Sequence, residues 1–226
     1  MYVRYIKRCL DFLLALVALT ALSPFLLVVT LVSTVKLQGN PFFLQIRPGK
    51  DEKLFKMIKF RSMTNERDEN GELLPDEQRL TSYGHALRAT SVDELPELVN
   101  ILLGQMSFVG PRPQLVRDMV FMTTEERRRH TVRPGLTGLA QVSGRNALRW
   151  ENKLALDLKY ISDISFRTDV KLLFRTAKII FFGGESSDET EVTDDYGDYL
   201  LQQGRITEAE YRQKREQAKE LLEVKI

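Results

Sequence analysis

The chain has 226 residues, of which 28% are charged, with a mean hydropathy of −0.24 and a net charge of +2 at pH 7. A composition this polar excludes a bundle of membrane-spanning helices, and the single Cys9 excludes a disulfide framework. The length is enough for one compact domain besides one apolar segment.

The first predicted element is an apolar run from Phe12 to Val35 that contains no charged residue. A helix of that length could cross a hydrocarbon core of about 30 Å. Arg4, Lys7 and Arg8 precede the run, as in a signal peptide, but it is too long for one and no small-x-small cleavage site follows it.

The centre and flanks of this run predict its topology. Ser23-Pro24 lies at its midpoint, where proline removes an N–H and bends a helix. Basic residues lie on both sides, so the charge asymmetry that orients a spanning helix is missing. We therefore predict, over residues 1–38, a re-entrant helix-break-helix whose two ends face the cytoplasm. A single kinked span is the alternative.

Charge is unevenly distributed along the chain. Residues 1–61 contain ten Lys or Arg against three acids, which suits the anionic inner leaflet of a membrane. Residues 185–198 contain seven acids and are predicted to be a solvated linker. We expect no nucleic-acid binding, because the basic residues lie beside the lipid-facing segment and no base-stacking motif is visible.

The middle of the chain predicts an α/β, mainly helical domain with short strands. Two short strands are joined by a turn that contains Pro48-Gly49, and a charged loop covers residues 64–79. A glycine-rich loop follows Arg133. Helices are predicted over Leu80–Arg88, Glu94–Leu103 (ended by Gly104), Thr124–Arg129 (capped by Thr124), Trp150–Ile161 and Thr168–Phe182.

The predicted helix Thr168–Phe182 is amphipathic. Arg167, Lys171, Arg175 and Lys178 recur on one face at helical spacing, while apolar side chains occupy the other. Two interpretations remain open: a core helix with a solvated face, or a basic helix that lies in the membrane surface.

The C-terminal region is predicted to form two helices. Gly204 ends the first, and Thr207-x-x-Glu210 begins the second as a capping box. The pattern resembles a short helical hairpin that is appended to many bacterial proteins and associated with homo-oligomers. A solvated helical tail is the alternative.

Residues 88–113 hold the candidate chemistry. Asp93 and Glu94 are adjacent carboxylates between Arg88 and Arg112, as a reaction at a phosphate ester requires. Ser91-x-x-Glu94 is also a possible capping box. Because a proline inside a helix clashes with the carbonyl four residues earlier, Pro96 favours a helix that starts at or after Asp93, with both acids at its mouth.

These residues belong to an ordered set of motifs by which the chain resembles the bacterial sugar transferases, the monotopic phosphoglycosyl transferases. The resemblance runs from the N-terminus to about Phe182 and matches the small form of the family. The motifs are Lys59-Phe60-Arg61-Ser62-Met63, Asp93-Glu94-Leu95-Pro96, Pro111-Arg112-Pro113 and Arg133-Pro134-Gly135-Leu136-Thr137-Gly138, followed by Asp157, Tyr160 and Asp169.

The resemblance implies the transfer of a sugar 1-phosphate from a UDP-sugar to undecaprenyl phosphate with release of UMP, the first membrane step of glycoconjugate synthesis. It implies Asp93 as nucleophile and Glu94 as a ligand of Mg²⁺. The candidate phosphate contacts are Lys59, Arg61, Arg88, Arg112, Arg133 and Arg145; Pro111, Pro113, Gly138, Asp157 and Tyr160 are candidates for shaping the substrate loops.

The expected organisation is a membrane hairpin over 1–38, a catalytic domain over 39–184 facing the cytoplasm, and an acidic linker with a helical hairpin over 185–226. The enzyme is expected at the bacterial inner membrane, in contact with lipid. The alternative is a membrane-tethered scaffold that has the same architecture without catalysis. No residue pattern identifies the sugar.

Overall fold

The computed structural model describes residues 2–144, 148–182 and 194–223, and within them the side chains of Arg4 and Phe181 are left undescribed. The described part is mainly helical, with short strands and one long apolar N-terminal helix. The helices are α1 Lys7–Lys36, α2 Asp76–Arg79, α3 Ser82–Ala89, α4 Glu97–Leu102, α5 Val116–Met119, α6 Thr124–Arg127, α7 Trp150–Ser162, α8 Phe166–Phe182, α9 Tyr196–Gln202 and α10 Glu208–Glu223. The strands are β1 Phe42–Pro48, β2 Leu54–Phe60, β3 Ser107–Val109 and β4 Gly135–Thr137.

Helix α1 is a single helix of 30 residues with Pro24 inside it. The predicted division into two helices at Ser23-Pro24 is therefore not confirmed. Proline leaves the carbonyl of Thr20 without its helical donor, and the hydroxyl of Ser23 donates to that carbonyl at 2.8 Å. The side chain beside the proline thus replaces the missing hydrogen bond, which lets the helix continue.

One stripe of α1 packs lengthwise on the rest of the protein. At its start, Arg8 donates to the carbonyl of Ile101 at 2.7 Å. Towards its end, the hydroxyls of Ser33 and Tyr83 lie 2.8 Å apart. The helix is long and apolar enough to cross a membrane, and most of its large apolar side chains are exposed. The exposed set is Phe12, Leu13, Leu14, Leu16, Val17, Phe25, Leu27, Val28, Leu31, Val32 and Val35.

Strands β1 and β2 form the predicted antiparallel hairpin, with Phe42 paired to Phe60 and Pro48 to Leu54. The buried Asn100 of α4 holds β2 in place, because it accepts from the N–H of Ile58 at 3.0 Å and donates to the carbonyl of Lys56 at 2.8 Å. An apolar core between β2, α4 and α1 consists of Ala15, Phe55, Met57, Leu98, Ile101 and Met106.

Strands β3 and β4 form a small parallel pair that the sequence did not predict, with Ser107 opposite Gly135 and Val109 opposite Thr137. The two backbones approach so closely that a Cβ on Gly135 would lie 2.1 Å from the nitrogen of Gly110. The predicted glycine-rich loop therefore includes a strand, and its glycine at position 135 is needed for close packing.

Several helix starts differ from prediction. Helix α3 begins at Ser82 and not at Leu80, α4 at Glu97 and not at Glu94, and α8 at Phe166 and not at Thr168. Thr123, not Thr124, caps α6: its hydroxyl accepts from the N–H of Glu126 at 3.3 Å, and the Glu126 carboxylate accepts from the N–H of Thr123 at 2.7 Å. This is a complete capping box, one residue earlier than expected.

The C-terminal hairpin (residues 194–223, containing α9 and α10) packs on the rest of the protein. Thr207 and Glu210 form the predicted capping box at the start of α10, and Gly204 between the helices has a φ of 64°. Tyr196 is only 1% exposed. The hairpin is therefore not a fully solvated tail. The acidic residues 185–193 lie outside the described residues.

Candidate active site

The acid pair lies in a tight turn that leads into α4. Val92–Glu94 is a 3₁₀ turn, and Ser91 before it has a left-handed backbone with a φ of 55°. The Ser91 side chain caps nothing in this turn. The capping-box interpretation is therefore wrong, because Glu94 points at two cations instead. Helix α4 begins at Glu97, so both acids stand before its first turn.

Glu94 is held by two positive side chains. Its Oε1 atom accepts from Nζ of Lys59 at 2.7 Å and from Nη2 of Arg112 at 2.9 Å. Burial opposes ionisation of this carboxyl, but Arg112 and Lys59 outweigh it and lower the pKa of Glu94 to about 2. Glu94 is therefore ionised at neutral pH.

Asp93 is in a different state from its neighbour. Among the described residues, no hydrogen bond or salt bridge reaches its carboxylate. Burial raises the pKa of Asp93 above its usual value, and the Glu94 charge adds to this rise while Lys59 opposes it. An acid without a partner, beside cations already engaged by another acid, is available to react.

A third carboxylate, Glu97, joins the site and was missed by the sequence analysis. It is 3% exposed, and its Oε1 lies 3.2 Å from Nζ of Lys59. Lys59 therefore lies between Glu94 and Glu97. Burial raises the pKa of Glu97 to about 7, although Lys59 opposes the rise. Its position one helical turn after Asp93 was the available signal, but an acid in a first helical turn is usually a solvated residue.

Arg88 approaches the site from α3. Its Nε donates to the hydroxyl of Ser62 at 2.9 Å, and the residue as a whole is exposed. Its charge and that of Arg112 both act on Asp93. Exposed guanidinium groups beside a free carboxylate can bind the oxygens of a phosphate from solution.

Two other predicted phosphate contacts bind backbone carbonyls elsewhere. Arg61 donates to the carbonyl of Leu37 at 2.6 Å, at the end of α1. Arg133 donates to the carbonyl of Gly104 at 2.7 Å, just after the C-terminal end of α4 and away from the acid pair. Arg145 lies outside the described residues.

The backbone of the Pro111-Arg112-Pro113 loop is held at each residue. The N–H of Gly135 donates to the carbonyl of Pro111 at 3.0 Å, and Arg47 donates to that of Pro113 at 3.1 Å. Gly138 stands close by, where a Cβ would lie 2.2 Å from the carbonyl oxygen of Gly110. These contacts fix the backbone from which Arg112 reaches Glu94.

Asp157 and Tyr160 lie behind this loop. Asp157 accepts from Nη2 of Arg129 at 2.7 Å, and the same nitrogen donates to the carbonyl of Arg112 at 2.6 Å. Tyr160 donates to the carbonyl of Val109 at 3.0 Å. Both residues thus reach the backbone of the loop or of the strand before it, and their role in supporting it stays a prediction.

The Tyr160 hydroxyl also lies 2.7 Å from the carboxylate of Asp169. That carboxylate accepts from Lys7 and from the hydroxyl of Tyr2, both at 2.6 Å. Through the buried Asp169, the start of α1 is therefore tied to Tyr160, which lies behind the Pro111-Arg112-Pro113 loop, here named the catalytic loop.

The acid pair also lies next to the apolar helix α1. Val92, the residue before Asp93, packs in a cluster with Val29 and Leu26 of α1 and with Phe60 and Leu87.

The side chains near the acid pair decide whether the site could hold a metal ion. No group of three or more His, Cys, Asp or Glu side chains suited to a metal occurs among the described residues. Mg²⁺ is usually bound by one or two carboxylates together with substrate phosphates, so Glu94 alone is enough protein ligand for this ion once a phosphate is present.

Comparison with known proteins gives a consistent family. Residues 2–183 match the family described as bacterial sugar transferase. The chain is 46% identical over 173 residues to the uncharacterized sugar transferase EpsL of Bacillus subtilis (strain 168), a match that covers 76% of this chain and 86% of that protein.

Two further relatives have names that state a substrate. One is the UDP-glucose:undecaprenyl-phosphate glucose-1-phosphate transferase of Klebsiella pneumoniae, 38% identical over 185 residues, which cover 75% of this chain and 39% of that protein. The other is the UDP-N-acetylgalactosamine-undecaprenyl-phosphate N-acetylgalactosaminephosphotransferase of Aeromonas hydrophila, 35% identical over 191 residues (79% of this chain, 44% of that protein). The sugar thus differs between relatives of similar identity.

Proposed function

The chain belongs to the bacterial sugar transferase family, and we propose that it transfers a sugar 1-phosphate from a UDP-sugar to undecaprenyl phosphate, with release of UMP. The relatives named for this reaction support the proposal. The single observation that carries it is the contrast within the acid pair: Glu94 is bound by two cations while Asp93 is free among the described residues.

In the proposed first step, a carboxylate oxygen of Asp93 attacks the phosphorus that bears the sugar. The bond from that phosphorus to the bridging oxygen of the diphosphate breaks, and UMP leaves with the electron pair. The product on the protein is an acyl phosphate that carries the sugar. In the second step, a phosphate oxygen of the lipid attacks the same phosphorus and returns Asp93 as a free carboxylate.

The cations have separate tasks in this scheme. Arg112 and Lys59 keep Glu94 ionised and present positive charge where the phosphoryl oxygens gain negative charge. Arg88 is exposed and bonded only through Nε to Ser62 among the described residues, so its terminal nitrogens are free for a diphosphate. Positioning and charge compensation are the main needs of phosphoryl transfer.

Mg²⁺ is the proposed cofactor, with Glu94 as the protein ligand beside the diphosphate oxygens. When bound, it supplies charge that offsets the diphosphate and the leaving UMP. Glu94 must exchange its cationic partners to accept a metal, and Lys59 has Glu97 as a second partner at 3.2 Å. Glu94→Gln should therefore raise the Mg²⁺ concentration needed for half-maximal rate as well as lower the rate. Unchanged magnesium dependence would place the metal elsewhere.

We further propose that α1 enters one leaflet of the inner membrane and that both its ends remain on the cytoplasmic side. Its first turn is bonded to Ile101 and its last to Arg61, so one domain contacts both ends. A helix that crossed a hydrocarbon core of about 30 Å would place its ends on opposite sides. The exposed apolar side chains of α1 then face lipid, and the acceptor lipid lies in the same leaflet as the acid pair.

The decisive experiment is a screen of UDP-sugars for UMP release, with membranes that contain the protein, undecaprenyl phosphate and Mg²⁺. Intact-mass spectrometry after incubation with the active donor alone should show one sugar phosphate added to the protein. Asp93→Asn should abolish both signals. The matched control is Asp163→Asn, at an exposed aspartate after α7.

The outcomes separate the candidate functions. An adduct at wild-type level in Asp93→Asn would contradict the nucleophile assignment. A folded protein that releases no UMP from any donor would favour the membrane-tethered scaffold instead.

A further inference from the structure

The C-terminal hairpin lies beyond the region that matches the family, which ends at residue 183. Its apolar side chains are nevertheless part of the protein's core. Tyr196, Leu200 and Ala218 are buried against α5 and α7 in one cluster, together with Val116, Met119, Val120, Phe121, Met122, Trp150 and Leu154.

The polar contacts of the hairpin converge on α5, the helix that follows the catalytic loop. The carboxylate of Asp118 is 2% exposed and has two partners. One oxygen accepts from the N–H of Tyr196 at 3.0 Å, and the other from the N–H of Leu115 at 3.1 Å. Arg117 also pairs with Asp195 at 2.8 Å. A single buried acid thus joins the hairpin to the residue three positions after Arg112.

Helix α10 holds the other end of the same segment. Lys214 donates to the carbonyl of Val120 at 2.8 Å, and the Tyr211 ring stacks on Phe121 at 5.7 Å between ring centroids. The fit is close, because a Cβ on Gly197 would lie 2.5 Å from the Phe121 ring. Residues 115–121 are therefore held along their whole length by the hairpin.

We propose that the C-terminal hairpin is a positioning element for the catalytic loop, acting through Asp118 and α5 to keep Arg112 against Glu94. The importance of this role for catalysis rests on the proposed function. Arg129 and Arg47 hold the carbonyls of Arg112 and Pro113 from one side of the loop. The hairpin supplies the anchor at the end that leads into α5.

The physical reason is the geometry that phosphoryl transfer requires. The Arg112 guanidinium reaches Glu94 from a loop that lies outside any helix or strand. Its position therefore depends on the contacts to the loop backbone and also on how firmly the end that leads into α5 is fixed. A displacement of about 1 Å at a positioning group can cost about 100-fold in rate. The apolar face of the hairpin is used inside the chain, so this role requires no second copy of the protein.

Hydrogen exchange measured by mass spectrometry tests the coupling without any assay of activity. Gly197→Val should separate the hairpin from Phe121 and speed exchange in the peptides that cover residues 113–122, while the α4 peptide keeps its wild-type rate. The matched control is Gln203→Val, at an exposed residue after α9. Lys214→Met is a milder second variant, because it keeps the bulk of the side chain and removes only the bond to Val120 and the cation–π contact with Phe121.

A double-mutant cycle on UMP release tests the route of the effect. Gly197→Val and Lys214→Met should each lower kcat by about tenfold or more in the wild-type background. In an Arg112→Ala background, each should cost less than about twofold further, because the group that they position is gone.

Three results would overturn the proposal. The first is an equal loss of kcat in the wild-type and Arg112→Ala backgrounds. The second is an unchanged kcat in a variant whose hairpin has separated from the rest of the protein. The third is faster hydrogen exchange in the hairpin alone, with residues 113–122 unchanged. If the wild-type protein releases no UMP, the exchange data still decide whether the hairpin holds the loop, and only the proposed function fails.

Discussion

Arg129 and Asp157 form an ion pair in the interior of the protein, with each residue only 2% exposed. Two guanidinium nitrogens of Arg129 donate to Oδ2 of Asp157, at 2.9 and 2.7 Å. The second nitrogen also donates to the carbonyl of Arg112. The support of the catalytic loop therefore depends on a charge pair that is buried away from the protein surface.

Loss of one member of this pair should be costly. We predict that Asp157→Asn lowers the free energy of unfolding by about 3–5 kcal/mol, because Arg129 remains buried with its charge unbalanced. Urea unfolding in detergent measures this change. The double variant Asp157→Leu/Arg129→Met should recover most of the stability; equal destabilisation of the single and double variants would contradict this account.

Different arginines should respond differently to removal. Arg112→Ala should lower kcat/KM by about 100-fold or more, and Arg112→Lys should recover only part of the loss, because lysine cannot reproduce the planar donor geometry. Arg88→Ala should behave similarly. Arg61→Ala and Arg133→Ala should mainly lower the melting temperature, because these side chains bind the carbonyls of Leu37 and Gly104. Steady-state UMP release and thermal melts of the same preparations separate the two classes.

The raised pKa of Glu97 predicts that the stability of the protein depends on pH. Burial raises its pKa from 4.5 to about 7, so in this window the folded protein holds a proton that the unfolded chain has lost. The contribution of Glu97 to the free energy of unfolding therefore falls as the pH rises from about 4.5 to 7, by at most about 1.4 kcal/mol per pH unit. Relative to wild type, Glu97→Gln should gain stability between pH 5 and pH 8. Melting temperatures measured in parallel at each pH test this, and a constant difference would refute the assignment.

The topology of α1 can be tested with its native cysteine removed. In a Cys9→Ser background, a single cysteine at Val3 or at Lys36 should resist a membrane-impermeant maleimide in intact cells and react after permeabilisation. Labelling of only one position from outside would show a true span. Replacing Ser23 by Ala and Pro24 by Leu should allow some molecules to expose position 3 to the periplasm, because the run can then span as a straight helix.

Local patterns in the sequence were enough to predict the β-hairpin and the apolar, helical character of the N-terminal segment, because each depends on a periodicity within a short window. The grouping of Lys59, Glu94 and Arg112 in one site came from the family resemblance, since these residues lie far apart in the sequence. The pairing of β3 with β4 was not predictable in this way, because each strand has three residues and the partners lie 28 positions apart. The burial of single side chains could not be predicted either. Nothing in the sequence Arg127-Arg128-Arg129 indicates that Arg129 is the buried one of the three.

The continuous path of α1 and the docking of the C-terminal hairpin were missed for a related reason. Proline predicts a lost hydrogen bond, but the compensation by Ser23 depends on its rotamer. An amphipathic helix pattern is the same whether its apolar face meets another chain or its own domain, and only the tertiary contacts of Tyr196 and Tyr211 distinguish them.

Val92, the residue before Asp93, packs against the same apolar cluster as Val29 of α1, and this bears on how the enzyme's kinetics should be measured. In the proposed arrangement, with α1 in one leaflet and Asp93 near it, the acceptor reaches Asp93 by lateral diffusion within that leaflet. The rate then follows the mole fraction of acceptor among the surrounding lipids and not its amount per volume of buffer. Adding inert phospholipid at constant acceptor should slow the second half-reaction by surface dilution, while the donor, which comes from the aqueous phase, keeps its ordinary molar KM.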